Sequence, residues 1–124
     1  MRQPELGTIA FSRPGGQPSG AKVVRPIDLE HLARQTQGDR AIEQEVLSLF
    51  AHQAAIARDK ITEADVTARA SLAHSLNGSA RAVGAFALAD CAAEIERDPA
   101  SRGAVKRLRT LIDEAREFIS AISR

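Results

Sequence analysis

The sequence predicts an all-α fold: an antiparallel up-down four-helix bundle with an additional short helix on its N-terminal side. Three observations carry that expectation. Apolar residues make up 44% of the 124, much of that share is alanine, and the only aromatics are four phenylalanines. Such a composition suits closely packed helices better than a sheet sandwich. Apolar positions also recur every three to four residues in successive segments, with no strand-like alternation and no internal repeat. Residues that start and stop helices separate those segments. The length fits one domain with one modest core.

The elements follow in chain order. Residues 1–25 include FSRPGGQPSGAK, rich in Pro, Gly and Ser and without apolar periodicity. They read as a flexible leader, because such a segment buries too little surface to offset its ordering entropy. The bundle is expected over residues 26–124. Asp28 is placed to N-cap a short helix carrying Leu29, Leu32 and Ala33, which stops near Gly38. Asp39 caps a longer helix whose expected apolar stripe is Ile42, Val46, Leu49, Phe50 and Ile56. Thr62 with Asp65 three residues on resembles a capping box that opens a third helix, and Gly84 is its expected stop. A fourth helix carries Phe86, Leu88, Ala92 and Ile95. Asp98-Pro99 reads as an N-cap followed by proline at the first helical position. The last helix presents Val105, Leu108, Ile112, Ala115, Ile119 and Ile122 as one seam.

Charge and cysteine content exclude several function classes. The formal net charge is +1. The leader holds four basic residues and one acidic, leaving 13 basic and 15 acidic residues in the bundle. The predicted domain therefore lacks the basic excess of a nucleic-acid binder. One cysteine, Cys91, permits no internal disulfide. There is no apolar run long enough to span a membrane and no signal-peptide pattern at the start, so a cytoplasmic location is expected.

The stretch Ser71–Ala85, SLAHSLNGSARAVGA, holds an isolated His74 in a predicted helix, with Gly78 one turn on. Glycine in a helix interior is unfavourable by about 1 kcal/mol relative to alanine, so its presence asks for a reason. At about 100° per residue, Leu72, Leu76 and Val83 fall opposite His74 and define the expected core stripe. Around His74 lie Thr67, Ala70, Ser71, Asn77, Gly78 and Arg81. A solvated helix face is usually built from long Glu, Lys, Arg and Gln side chains; this strip is kept low beside the histidine. Another protein could thus approach the imidazole closely. A neutral imidazole, with a reference pKa near 6.5, is a good nucleophile at pH 7 and can carry a phosphoryl group. Asn77 offers a neutral donor one turn on. Arg81, two turns away, is expected to lean its guanidinium back toward the phosphoryl position.

Residues His74 to Ala85, HSLNGSARAVGA, resemble the signature of histidine phosphotransfer (HPt) domains, roughly H-x-L-K-G-S-[SA]-x-x-[LVI]-G-A. GDRAIEQEVLSLF resembles the family's second helix and LADCAAEIE its segment after the histidine helix, so the likeness runs from Pro26 to the end. The resemblance implies a carrier in a two-component phosphorelay. His74 would take a phosphoryl group from an aspartate of one receiver domain and pass it to another, with response-regulator receivers and a hybrid histidine kinase as partners. It also implies that Mg²⁺ and the catalytic acids belong to the receiver, so the chain binds no cofactor or metal and is a substrate rather than an enzyme. Gly78 matches the glycine that keeps the site open, Ser79 the small polar residue after it, and Gly84 the glycine at the following turn. Asn77 departs from the pattern, which has lysine there; a cationic donor becomes a neutral one.

The other candidates read as structural. His31 and His52 have no ligand spacing around them, Cys91 suits a small buried filler, and Arg102, Lys106 and Arg109 share a solvated face. Two functions follow: a phosphoryl carrier through His74, or an adaptor that binds and sequesters a receiver or kinase domain through the same surface without transfer.

Overall fold

The computed structural model describes residues 25–123, and the segment read as a leader lies outside the described residues. Five helices follow one another: α1 (Leu29–Thr36), α2 (Arg40–Ile61), α3 (Val66–Val83), α4 (Phe86–Arg97) and α5 (Arg102–Ile122). No strand occurs among the described residues. Helix α2 packs on α3, α3 on α4, α4 on α5 and α5 on α2, which closes the ring of a four-helix bundle. Helix α1 lies against α2 and α3. The all-α bundle with one short extra helix is thus the observed fold.

Local chemistry sets the helix ends. Asp28, Asp39, Asp65 and Ser101 are the N-caps of α1, α2, α3 and α5, each side chain accepting from backbone N–H groups of the first turn. Each such cap is worth about 1 kcal/mol because those N–H groups have no partner inside the helix. Two expected caps are therefore corrected. Thr62 closes α2, and Asp65 alone opens α3. Asp98 closes α4, and Ser101, not Asp98 before Pro99, opens α5. One side chain ties these two corners together. Arg69 of α3 donates to the carbonyls of Ile61 and Thr62 at 2.9 and 2.8 Å and to that of Pro99 at 2.9 Å. Both turns sit where Arg69 can satisfy their carbonyls, a constraint that local cap signals do not contain.

Helix α3 ends at Gly84, whose φ of +88° places its N–H on the carbonyls of Ala80 and Arg81. An L-residue would be strained there. Tertiary packing adds a second reason: a Cβ on Gly84 would come within 2.8 Å of the Asp28 carbonyl oxygen. Asp28 N–H in turn donates to Gly84 O at 2.9 Å, which docks α1 at the α3–α4 turn.

The core is aliphatic and alanine-rich. Ile27, Leu32, Ile61, Ile95, Leu108 and Ile112 are the largest fully buried side chains. Burying each such side chain stabilises by roughly 1.5–3 kcal/mol. Ala73 and Ala80 on α3 and Ala89 and Ala92 on α4 are fully enclosed. Such short side chains let two helices approach closely. The expected core stripes shift in two places. On α2 the buried face is Leu47, Phe50, Ala54, Ala57 and Ile61, while Ile42, Leu49 and Ile56 are exposed. On α3, Ala73 and Ala80 join Leu76 and Val83, and Leu72 is only partly covered. Phe86 and Ile122, also expected inside, are exposed. In α2 and α3 the face chosen is the one whose small alanines admit a neighbour, which hydrophobicity alone does not rank first. Arg58 of α2 grips Asp113 of α5, Nε lying 2.7 Å from Oδ1 and Nη2 donating to Oδ2 at 3.1 Å.

Candidate functional site

His74 sits in the middle of α3, and its side chain is 75% exposed, facing away from the core as the helical wheel requires. Helix α4 runs antiparallel beside α3 after the tight turn at Gly84–Ala85. That hairpin brings Glu96, near the end of α4, against the ring: His74 Nδ1 and Glu96 Oε2 are 2.7 Å apart. An ionised carboxylate only accepts, so the Nδ1 atom carries the proton and donates it. The tautomer follows from that partner: Nε2 holds the free lone pair, on the ring atom farthest from the backbone. Glu96 is half-buried and so is held better than a fully solvated carboxylate.

The surface beside the ring is low. Val66, Thr67, Ala70, Ser71 and Ser75 line an open groove with His74 and Glu96. Ser75 also borders a second groove formed by Gln53 and Ile56 of α2 with Leu72, Leu76 and Ser79 of α3. The exposed Ile56 of α2 is thereby continuous with the histidine face. Gly78 is exposed, and a Cβ added to it would meet nothing within 4 Å. The chain's own packing therefore does not demand glycine at this position.

The remaining sequence-predicted residues divide between surface and scaffold. Asn77 is half-buried and Arg81 exposed on the same side of α3. Arg81 does lean back one turn, yet its guanidinium stops short of the ring. Its Nε donates to Asn77 Oδ1 at 2.9 Å, and its Nη2 donates to Asp90 Oδ1 of α4 at 2.9 Å. Ser71 stands beside His74 on the exposed side, and Ser79 lines the neighbouring groove. Gly84 is buried at the α3–α4 turn and belongs to the scaffold.

Sequence reasoning missed Glu96 and Asp90. A signal existed in the hairpin: His74 and Glu96 lie eleven residues either side of Ala85, and Arg81 and Asp90 lie four and five. Folding α3 back on α4 at that turn would have matched both pairs.

His31, half-buried, sets its ring edge-on against Phe86 with centroids 5.1 Å apart, and His52 is exposed on α2. Cys91 is buried and free, its Sγ donating to the Ala104 carbonyl at 3.3 Å, and burial raises its thiol pKa. Arg102 and Lys106 are exposed and Arg109 half-buried on α5. Among the described residues no group of three or more His, Cys, Asp or Glu side chains is placed to hold a metal ion, and no helix is long and apolar enough to cross a membrane.

A comparison with protein-family models matches residues 28–118 to the Hpt domain. That span covers all of α1 to α4 and most of α5, so the chain belongs to the Hpt domain family. Hpt domains take part in histidine phosphotransfer in phosphorelays, interacting with receiver domains and histidine kinases as phosphocarriers rather than catalysts. No curated protein and no solved structure matches the chain significantly.

Proposed function

We propose that the protein relays a phosphoryl group between His74 and receiver-domain aspartates, with His74 Nε2 as the phosphorylated atom. The observation that carries this reading is an exposed mid-helix imidazole whose Nδ1 is held by Glu96, leaving Nε2 directed at solvent over a low surface. The donor is an acyl phosphate on the partner's aspartate. The Nε2 lone pair forms the N–P bond while the P–O bond breaks, and that electron pair leaves on the aspartate carboxylate. No proton has to move. The ring gains positive charge as it bonds to phosphorus, and the Glu96 carboxylate at Nδ1 stabilises that charge where it develops. The reverse step returns the group to another aspartate. Mg²⁺ and the acidic residues that hold it belong to the receiver on this reading.

The exposed apolar residues support a protein partner on the same face. Ile42, Leu49 and Ile56 recur every seven residues along α2, and Ile56 borders the groove that reaches Ser75 next to His74. An apolar rim beside a polar nucleophile suits docking of another folded domain.

The test is to incubate the protein with phosphorylated receiver domains and look for acid-labile phosphate on it. Label on the wild type and none on His74→Ala is expected. Label persisting on His74→Ala overturns the assignment. Binding without any label supports instead an adaptor that occupies the receiver.

A further inference from the structure

We infer that Arg81 is a positioning residue: it fixes the direction of the Asn77 side-chain amide and so presents Asn77 Nδ2 to a phosphoryl group on His74. The inference rests on the proposed transfer at His74 and adds to it the means by which a neutral side chain serves beside the phosphoryl group.

A carboxamide has an acceptor end and a donor end of almost the same shape, and its neighbours decide which faces where. Arg81 Nε is a donor with no acceptor capacity. At 2.9 Å from Asn77 it can only face the oxygen, which assigns Oδ1 to the Arg81 side. The Nδ2 donors then turn away from Arg81. Asn77 lies between Arg81, four residues on, and His74, three residues back, and helical side chains tilt toward the N-terminus. The donor end therefore faces the His74 side of the strip. Asp90 holds the other end of the guanidinium at 2.9 Å, so the clamp runs from α4 through Arg81 to the amide.

This arrangement answers the problem posed by Asn77. A lysine ammonium has three donors and needs no orientation, whereas an amide that turns its oxygen to a phosphoryl dianion repels it. A donor already aimed avoids reorganisation when the charge arrives. Stability alone is a poor explanation for the clamp. Arg81 and Asp90 are 48% and 73% exposed, and ion pairs that exposed contribute about 0–1 kcal/mol. Variants here accordingly keep the fold.

The experiment uses the full chain and potassium phosphoramidate as phosphoryl donor, which needs no partner domain. The donor's P–N bond breaks as the His74 Nε2–P bond forms, and ammonia leaves. Phosphorylation rate and phosphohistidine lifetime are followed by ³¹P NMR. Asn77→Ala should slow phosphorylation about tenfold, the value of one hydrogen bond to a charged group. Arg81→Ala should slow it less, about threefold, and the double variant should be no slower than Asn77→Ala alone. Arg81→Lys should recover most of the rate. Asn77→Asp keeps an oxygen for Arg81 but removes the donor, and should be slower than Asn77→Ala. The Asn77 side-chain ¹⁵N resonance should move on phosphorylation of the wild type and stay put in Arg81→Ala. Additive losses in the double variant, or Asn77→Asp as fast as wild type, overturn the positioning role. A labelled wild type matched by Arg81→Ala overturns it alone; a wild type that accepts no phosphoryl group overturns the transfer reading as well.

Discussion

Replacing Gly78 with alanine should make the protein more stable and a worse phosphorelay partner. Gly78 lies inside α3 in ordinary helical conformation, and a Cβ there meets nothing within 4 Å. The added methyl thus brings no clash, and the change returns the full helix-propensity difference of about 0.8–1 kcal/mol. For a domain of this size that raises the melting temperature by about 4 °C or more. The same open space is what a docking partner would enter one turn from His74. Gly78→Ala should therefore reduce transfer from a phosphorylated receiver several-fold, and Gly78→Met, with its long side chain, should nearly abolish it. Phosphoramidate, small enough to reach Nε2 without docking, should label both variants as it labels wild type. Thermal melts and phosphotransfer kinetics on the same samples decide the matter. A variant that gains no stability would show that α3 needs glycine here for its own sake. A stabilised Gly78→Met that still transfers at the wild-type rate would refute the argument from access.

Three further outcomes are expected. Glu96→Ala removes the acceptor from His74 Nδ1, so receiver-to-His74 transfer should fall about tenfold, and ¹⁵N spectra of the ring should show mixed tautomers in place of one. Arg69→Met leaves the Ile61, Thr62 and Pro99 carbonyls without their donor; urea unfolding should show a loss of about 2–3 kcal/mol, with phosphoramidate labelling of His74 retained in the folded protein. Cys91 has a thiol pKa raised by desolvation, only partly offset by Arg107. Folded protein thus keeps its proton where unfolded chain loses it, so Cys91's contribution is intact below the ordinary thiol value near 9 and falls away as pH rises above it. Urea midpoints across that range should decline more for wild type than for Cys91→Ala.

Much of the architecture was legible because helix starts, stops and apolar spacing are local properties. Asp28, Asp39 and Gly84 act where their neighbours in sequence say they should, since a cap concerns the first or last turn alone. Thr62 and Asp98 misled for the complementary reason. Both carry good cap chemistry, but Arg69 reaches across from α3 and fixes the two corners in another form. The α2 stripe misled as well. Ile42, Leu49 and Ile56 outrank Ala54 and Ala57 in hydrophobicity, yet close approach of helices rewards small side chains, and the larger ones are left outside.

At the site, the sequence by itself determined which side of α3 His74 occupies and that its surroundings are low, because a helix converts spacing into direction at a fixed angle per residue. Only the tertiary structure decided what touches the ring. Glu96 is 22 residues away and meets Nδ1 because α4 folds back along α3, and that contact is what leaves Nε2 as the free nitrogen. Arg81 shows the same division. Its backward lean and its bond to Asn77, four residues back on the same helix, follow from helix geometry, but Asp90 of α4 takes the other end of the guanidinium. Direction, and contacts one turn apart, are properties of one helix; the Glu96 and Asp90 contacts need two.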